Sequence, residues 1–273
     1  MRRIALLALL AASWPAAAEA HPAWGILVDG RGTVYFADVD HGNVVRRVDE
    51  RGKLSRVAAG KHSHDLFRDA RGDRYVADVA ASVDLGYRNN PLAGEIEDEA
   101  VILKRRPDGN VSVLAGSEAG RKDGKGTEAM FRAPGAMAWG TEGALYVAEG
   151  DAIRKVTVDG TVTTLADRLL DAGPPDAPFE GANRLFGLTL DARNDAYVAD
   201  FGGWRVLRVA PDRAASTVLR SERPWSPVGV AESGGCLDVL EVGATPGVPL
   251  GPRVRKVAGD GKITTLATVE RAK

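Results

Sequence analysis

The stretch that decides the fold is "GLTLDARNDAYVADFGGWRVLRVAPD", residues 187–212. It holds three short segments rich in apolar residues, separated by the Asp, Asn, Gly and Pro residues that form tight turns. The middle segment, "AYVAD", is apolar at successive positions, which predicts a strand buried on both faces. The next segment, "WRVLRV", alternates basic and apolar residues, which predicts a strand with one face in solvent. The segment "ASTVLR" follows after another turn, so the pattern predicts a unit of four antiparallel strands.

This four-segment unit occurs five times along the chain. An acidic residue ends the second segment of each unit, at Asp38, Asp78, Glu149, Asp200 and Glu241. Four-stranded units that repeat radially are typical of a β-propeller. A solenoid or several small domains would also give repeats, but the tight four-strand unit and the lack of helical periodicity favour the propeller. We therefore predict an all-β fold, a β-propeller of four-stranded antiparallel blades, with five blades and six-bladed closure as the alternative.

Two further stretches strengthen a resemblance to a known family. The sequence "PGAMAWGTEGALYVAEGDAIRKVTVDGTVTTLAD" (134–167) resembles an NHL repeat, as does the stretch quoted first. The sequence "LAGSEAGRKDGKGTEAMFRAPGAMAW" (114–139) resembles the linker that such repeats use between blades. The resemblance covers nearly all of residues 24–268 and implies a propeller, usually with six blades. It implies no single function, because NHL and related propellers include lyases, lactonases and binding modules.

The first twenty residues are predicted to be an export signal that does not belong to the fold. A basic start, Met1-Arg2-Arg3, precedes a short apolar run and the small-x-small sequence Ala18-Glu19-Ala20. The apolar run is too short to cross a bilayer. We therefore expect a signal peptide over 1–20, a single NHL-like propeller domain over 21–273, and a periplasmic or extracellular location.

Composition narrows the classes of partner. The chain has 36 basic and 37 acidic residues, a formal net charge of −1, and a single cysteine, Cys236. Such a balanced surface lacks the basic patch that nucleic acid binding requires, so we expect no nucleic acid partner. We also expect no membrane span. With one cysteine the chain cannot form an internal disulfide, so a packed core must hold it together.

Four stretches exceed the length of a bare four-strand unit, namely 80–100, 117–133, 167–184 and 242–251. Each follows either the second or the fourth strand of its unit, and in an antiparallel blade these two connections open on the same side. We call that side the insertion-rich face. Insertions confined to one side usually mark a binding surface, although neutral loop growth is the alternative. We predict that this face binds a small molecule or a protein, with Tyr87 and Arg88 of the first insertion among the contacts.

The innermost strand of each unit starts at the same face and brings one residue to the rim of the central channel. Aligning the units on their second-strand tyrosines places the following residues there: Trp24, His64, Gly135, Phe186 and, less securely, Val228. Metal-dependent gluconolactonase-like propellers, which the chain distantly resembles, carry acidic and amide metal ligands around this rim. Here His64 alone could bind a metal. Trp24, His64 and Phe186 are therefore predicted to form an apolar-walled ligand pocket.

The stretch "HSHD" (62–65) raises the possibility of a divalent metal. In an extended chain His62 and His64 point the same way, so they could bind one ion together. A third ligand would have to come from another unit, with Asp38 and His41 the nearest candidates along the chain. The alternative is that His64 is a hydrogen-bonded rim residue that helps to shape the pocket.

The five acidic residues that end the second segments admit two interpretations. They could form a ring of carboxylates around a cation, or each could cap the turn that follows it by accepting backbone N–H bonds. Recurrence in every unit favours the structural interpretation. The hypothesis for function is an exported, soluble binding scaffold, and the alternative is a metal-assisted lyase or hydrolase, lactonase-like, at the channel mouth.

Overall fold

The structure is a computed structural model that describes residues 26–28, 32–38, 44–49, 51–59, 67–68, 74–79, 99–105, 110–132, 134–170, 184–243 and 251–269. Within these residues the regular structure is β-strand, apart from one turn of 3-10 helix at Gly126–Glu128. None of the described segments is a helix long and apolar enough to span a membrane.

Units one and two each contribute four described strands. Those of unit one are β1 (Ile26–Val28), β2 (Val34–Asp38), β3 (Val44–Val48) and β4 (Leu54–Ala59). Those of unit two are β5 (Phe67–Arg68), β6 (Arg74–Val79), β7 (Glu99–Arg105) and β8 (Val111–Glu118).

The remaining three units follow the same plan. A short strand, β9 (Gly124–Lys125), precedes them. The strands of unit three are β10 (Pro134–Trp139), β11 (Leu145–Glu149), β12 (Ala152–Val156) and β13 (Thr161–Ala166). Those of unit four are β14 (Leu185–Leu190), β15 (Ala196–Asp200), β16 (Arg205–Val209) and β17 (Ala215–Arg220). Those of unit five are β18 (Trp225–Ser233), β19 (Cys236–Gly243), β20 (Arg253–Val257) and β21 (Ile263–Thr268).

Each unit is one antiparallel sheet whose strands are paired in chain order. Strand β9 adds to the outer edge of unit three by pairing with β13. The first strands of neighbouring units pack against each other, β10 on β14 and β14 on β18, and β18 also contacts β1 of the first unit. The predicted all-β propeller of four-stranded blades is thus confirmed. The described residues form five sheets, and the choice between five and six blades stays a prediction.

The second strand of unit three is buried on both faces, as predicted, because every residue of β11 is buried. The expectation for the third strands is wrong in one respect. Their arginines were expected to face solvent, yet Arg154 is fully buried and Arg205 is 8% exposed. Arg47 of the third strand β3 does face solvent, as do the first three residues of the fourth strand β17.

The reason for the buried arginines is a repeated ion pair with the acidic residue of the second strand. The Arg154 guanidinium donates to the Glu149 carboxylate at 2.6 Å, and Arg205 donates to Asp200 at 2.7 Å. Arg253 forms the corresponding pair with Glu241 in unit five. These three carboxylates are therefore neutralised by the protein itself, which supports the structural interpretation of the acidic positions.

The additional hydrogen-bond donor to each of these three carboxylates differs between units. Asp200 caps its own turn as predicted, accepting the Gly203 N–H at 2.8 Å. Glu149 instead accepts the backbone N–H of Arg132, in the linker before unit three, at 2.6 Å. Glu241 accepts from the Ser221 hydroxyl, in the connection before unit five. Arg205, the partner of Asp200, donates to the Leu169 carbonyl in the connection before unit four at 3.1 Å. Each pair is thus tied to the connection from the preceding unit, and we call the three pairs the inter-blade latches.

Glycine allows the inner strands of units four and five to touch through their backbones. A Cβ placed on Gly187 of β14 would lie 2.6 Å from the Cα of Gly229 and 2.8 Å from the carbonyl oxygen of Val228, both in β18. Neither neighbour is a side chain that could move aside. The close packing of these two inner strands therefore requires glycine at position 187.

Unit five departs from the others in the middle of its second strand. Units one to four have a tyrosine that pairs across to a basic residue of the third strand: Tyr35 with Arg47, Tyr75 with Lys104, Tyr146 with Lys155 and Tyr197 with Arg208. In unit five the corresponding pair is Asp238 with Lys256. Asp238 is fully buried, its carboxylate is 3.5 Å from the Lys256 ammonium, and neither of its oxygens accepts a hydrogen bond from the described residues. Burial accordingly raises the pKa of Asp238, and Lys256 offsets part of that rise.

We expect Asp238→Asn to stabilise the protein at neutral pH by about 1–2 kcal/mol, because it removes a buried charge that lacks hydrogen bonds. A carboxyl with a raised folded-state pKa contributes its full stability below its ordinary pKa and loses it as the pH rises through the folded-state value. The gain should therefore vanish near pH 3 and grow toward pH 7, as measured by urea unfolding. Asp195→Asn is the control. It should lower the free energy of unfolding at neutral pH, because the Asp195 carboxylate accepts two hydrogen bonds from Arg208. If Asp238→Asn changed the free energy of unfolding equally at pH 3 and pH 7, the raised pKa of Asp238 would be contradicted.

Candidate functional site

The insertion 117–133 reaches the turn between β11 and β12 of unit three. Arg121 forms an ion pair with Asp151 in this turn, and the backbone N–H of Arg132 donates to Glu149 at the end of β11. The insertion therefore lies at the end of the blade where the second strand finishes and the third begins.

The insertion 167–184 reaches the same turn from the other side. Leu169 donates its backbone N–H to the Asp151 carbonyl at 3.0 Å, and Leu185, just after the insertion, donates to the Gly150 carbonyl at 2.7 Å. The prediction that these two insertions share one face is thus confirmed where the structure describes them. Most of the other two insertions lies outside the described residues.

Unit five extends further at this face than units three and four. In those two units the pairing of the first two strands starts at the acidic residue, with Pro134 opposite Glu149 and Leu185 opposite Asp200. In unit five the pairing continues for two residues beyond Glu241 and ends with Trp225 opposite Gly243. The extension places Trp225 at the insertion-rich face.

Three arginines lie over three aromatic rings at this face of units four and five. Each of these six residues belongs to the start of a first or third strand, to the turn between strands two and three, or to a connection between units. The pairs, with the distance from guanidinium carbon to ring centroid, are Arg184 over Phe186 at 4.9 Å, Arg223 over Trp204 at 4.3 Å and Arg253 over Trp225 at 4.4 Å. We call these three pairs the arginine–aromatic array.

Phe201 joins the members of the array. Its ring centroid is 5.2 Å from that of Phe186, at an interplanar angle of 49°. Its carbonyl oxygen accepts the Trp204 N–H at 3.3 Å and the hydroxyl of Ser226, the neighbour of Trp225. Phe201 is itself buried, so it connects the three pairs from beneath, across the boundary between units four and five.

Trp204 is held in a backbone conformation that is uncommon for its residue type. Its φ is +49°, in the left-handed region that favours glycine. Its N–H and carbonyl are both used, the carbonyl by Ser221 at 2.8 Å. Strained backbone of this kind clusters at functional sites. The half-buried indole is thus positioned by its turn, against the guanidinium of Arg223.

The electrostatics of the array differ from one arginine to the next. Arg253 is neutralised by Glu241, as described above for the latches. Arg184 is half-buried and, among the residues that the structure describes, it has neither an ion-pair nor a hydrogen-bond partner. Burial lowers the pKa of the Arg184 guanidinium, and no acidic group of the described residues opposes the shift. The guanidinium nevertheless stays charged at neutral pH, because an arginine pKa lies so far above it.

The structure describes one of the predicted ligand-contacting residues. Phe186 is the second residue of β14, is 2% exposed, and belongs to the array. The strand pairing confirms the alignment of Phe186 with Gly135 and Val228. In each of these three units the first-strand residue just before this position pairs with the acidic residue of the second strand. Contact between Phe186 and a ligand stays a prediction.

The other predicted site residues lie outside the described residues: Trp24, His41, His62, His64, Tyr87 and Arg88. For Asp38 the structure describes the backbone, as the last residue of β2, but not the side chain. The described part of the chain holds no group of three His, Cys, Asp or Glu side chains placed to bind a metal. The metal site thus stays a prediction.

Arg184, Trp204 and Trp225 were not singled out from the sequence. A signal for Trp204 was present, because its turn, "FGGWR", departs from the turns of the other units by carrying a tryptophan. Trp225 was missed because unit five lacks the tyrosine on which the units were aligned. Nothing in the sequence shows that Arg184 lacks a partner.

A cleft of about 710 Å³ lies between β13 of unit three and β16–β17 of unit four, with residues 167–169 of an insertion also lining it. Its lining includes Asp123, Thr164, Arg205 and Arg213. Asp123 already accepts hydrogen bonds from Arg154 and Thr164, and Arg205 is paired with Asp200. Much of the polar lining is therefore already satisfied, which makes the cleft a weaker candidate than the array.

No family model and no curated protein matches the chain, so membership of the NHL family stays a prediction. Solved structures do resemble it. A calcium-binding protein, regucalcin, from Agrobacterium tumefaciens is 14% identical, with a TM-score of 0.51 over 80% of this chain and 81% of that one. A protein of unknown function from Bacteroides thetaiotaomicron is 16% identical, with a TM-score of 0.51 over 92% of this chain and 59% of that one. Virginiamycin B lyase from Staphylococcus aureus is 14% identical, with a TM-score of 0.48 over 88% of this chain and 68% of that one. The similarity to the first two structures supports the propeller fold alone.

Proposed function

We propose that this protein is an exported NHL-type propeller that binds a small molecule or a protein through its insertion-rich face, without catalysis. The observation that carries the proposal is the arginine–aromatic array on that face. Tryptophan and arginine are the residue types that most often dominate binding energy at protein surfaces. Here two half-buried tryptophans, Trp204 and Trp225, stand beside arginines at the boundary between two units.

The setting of the array also supports binding. Its rings rest on a rigid base, because Phe186 and Phe201 belong to the hydrophobic core that units four and five share with unit one. The connections around it belong to the loops that vary most in length among the units. A rigid base surrounded by variable loops is the usual construction of a binding site.

The proposal is tested by screening small molecules for binding to the purified protein and then measuring the affinity of each hit in Trp225→Ala and Trp204→Ala. We expect each tryptophan variant to weaken binding at least tenfold, about 1.4 kcal/mol, because it removes a large apolar contact. Trp139→Ala is the matched control, since Trp139 is a half-buried tryptophan at the opposite end of an inner strand. Hits whose affinity is the same in both array variants and the wild type would contradict the proposal.

The metal-assisted lyase or hydrolase stays the second hypothesis, and it depends on His62, His64, His41 and Asp38. One of the similar structures is described as a calcium-binding protein, which is consistent with a cation site but does not argue for one at this identity.

If the second hypothesis holds, protein purified without an affinity tag should contain about one divalent metal ion per chain, and His64→Ala should lose it. Elemental analysis of both samples measures this directly. A metal content that is the same in His64→Ala and the wild type would exclude His64 as a ligand, and a metal-free wild type would leave the binding scaffold as the hypothesis of choice.

A further inference from the structure

Arg184 differs from the other buried arginines at the insertion-rich face. Arg154, Arg205 and Arg253 each pair with the acidic residue of their own unit. Arg184 is half-buried at the start of unit four, and no described residue forms an ion pair or a hydrogen bond with it. A partly desolvated charge without a counter-charge is unfavourable. It is retained here at a position where two units and an insertion meet.

The surroundings of Arg184 hold it in place without using its hydrogen bonds. Its guanidinium lies over the Phe186 ring, and that ring is fixed because it is buried against Phe201. A cation over an aromatic face is held by the ring quadrupole, which leaves the five N–H donors of the guanidinium available. The planar fork of these donors matches the two oxygens of a carboxylate.

The geometry points to Arg184 as the anchor for the carboxylate of a small organic ligand whose apolar part lies against the tryptophans of the array. This inference rests on the proposed function and names the class of ligand. Phe201, itself buried, links Phe186 to the segments that carry Trp204 and Trp225, so the groups for the charged and apolar ends of a small ligand are held on one rigid base at the insertion-rich face. A single guanidinium balances the single negative charge of one carboxylate.

The test compares benzoate with benzamide, its uncharged analogue of the same shape, by isothermal titration of the purified protein. We expect benzoate to bind at least tenfold more tightly than benzamide, since only benzoate carries a negative charge that can pair with the Arg184 guanidinium. Arg184→Gln should abolish that preference. It should leave the melting temperature unchanged or raised, because it removes an unpaired half-buried charge. The matched control is Arg213→Gln, an exposed arginine in the turn between β16 and β17, which should bind benzoate as the wild type does.

Three results would overturn the inference. They are benzoate affinity unchanged in Arg184→Gln, inorganic phosphate binding as tightly as benzoate, and no benzoate binding at about 10 mM, which corresponds to an affinity too weak for a specific site. Failure of the inference can be told apart from failure of the proposed function. If Trp225→Ala weakens the binding of a screened ligand but Arg184→Gln does not, the face binds ligands and only the anchor is misassigned.

Discussion

Replacing Arg154 with leucine is expected to lower the free energy of unfolding by about 3–5 kcal/mol, because the change leaves the buried Glu149 carboxylate without its counter-charge. Glu149 is fully buried, and the 2.6 Å hydrogen bond from Arg154 is its direct ion-pair contact. Arg121 is farther from this carboxylate, at 3.8 Å. For a domain of this size the loss corresponds to a melting temperature lower by roughly 6–20 °C.

The Arg154→Leu change should also destabilise the linker before unit three. Arg154 also donates to the backbone carbonyls of Lys122 and Met130 and to the Asp123 carboxylate, all in the linker before unit three. These acceptors lose their donor in the variant. We therefore expect faster hydrogen exchange in the linker as well as lower global stability.

The double variant Glu149→Leu/Arg154→Leu separates the value of the pair from the penalty of a lone charge. Replacing both partners of a buried ion pair with apolar residues is often close to neutral, so the double variant should recover the part of the loss that comes from the lone Glu149 charge. The linker acceptors still lack their donor in the double variant, so recovery should be partial. Equilibrium unfolding in urea measures both variants. A single Arg154→Leu that loses less than about 1 kcal/mol, the value of an exposed pair, would show that Glu149 finds another partner or solvent.

Replacing Gly187 with alanine is expected to destabilise the protein by about 3 kcal/mol, at the upper end of the usual penalty for overpacking. The added Cβ would lie 2.6 Å from the Gly229 Cα, so the inner strands of units four and five would have to separate. The core shared by these units contains Phe186 and Val228 beside the clash, so the separation would also open apolar contacts.

Gly135→Ala provides the matched control for this prediction. Gly135 lies on the inner strand of unit three, and among the described residues a Cβ there would meet the Ala148 carbonyl oxygen alone, at 3.6 Å, an ordinary contact. This variant should unfold within about 0.5 kcal/mol of the wild type, whereas Gly187→Ala should not. Equal midpoints for the two variants would mean that the inner strands can move apart without penalty.

Local sequence pattern was sufficient to predict the blades. The run "LYVAE" in unit three is apolar throughout, and its strand is buried on both faces. The common face of two insertions could also be predicted, because it depends only on antiparallel order. These features are encoded within one unit, where neighbours along the chain are also neighbours in space.

The partners of the buried charges could not be predicted in the same way. The basic and apolar alternation around Arg154 is the pattern of a half-exposed strand, and the burial of Arg154 depends on a linker that folds over it from more than twenty residues away. Trp225 was obscured because Asp238 stands where the other units have tyrosine. Gly187 is needed because the inner strand of unit five packs closely against it, and the sequence of unit four does not show that contact. In each case the deciding contact crosses between units, and the pattern within one unit carries no information about it.

The pairing of every blade from consecutive strands has a consequence for how the protein folds. Since no described strand of the first unit pairs with the last sheet, each sheet can form from its own segment of chain, and its contacts are short-range. Local contacts favour fast formation, so the blades should form early and independently. The contact between β1 and β18 joins segments about 200 residues apart in sequence, and closing a loop of that length carries the largest entropic penalty in the fold. Docking of unit one against unit five should therefore be the late, slow step of folding and the first contact to open under mechanical load.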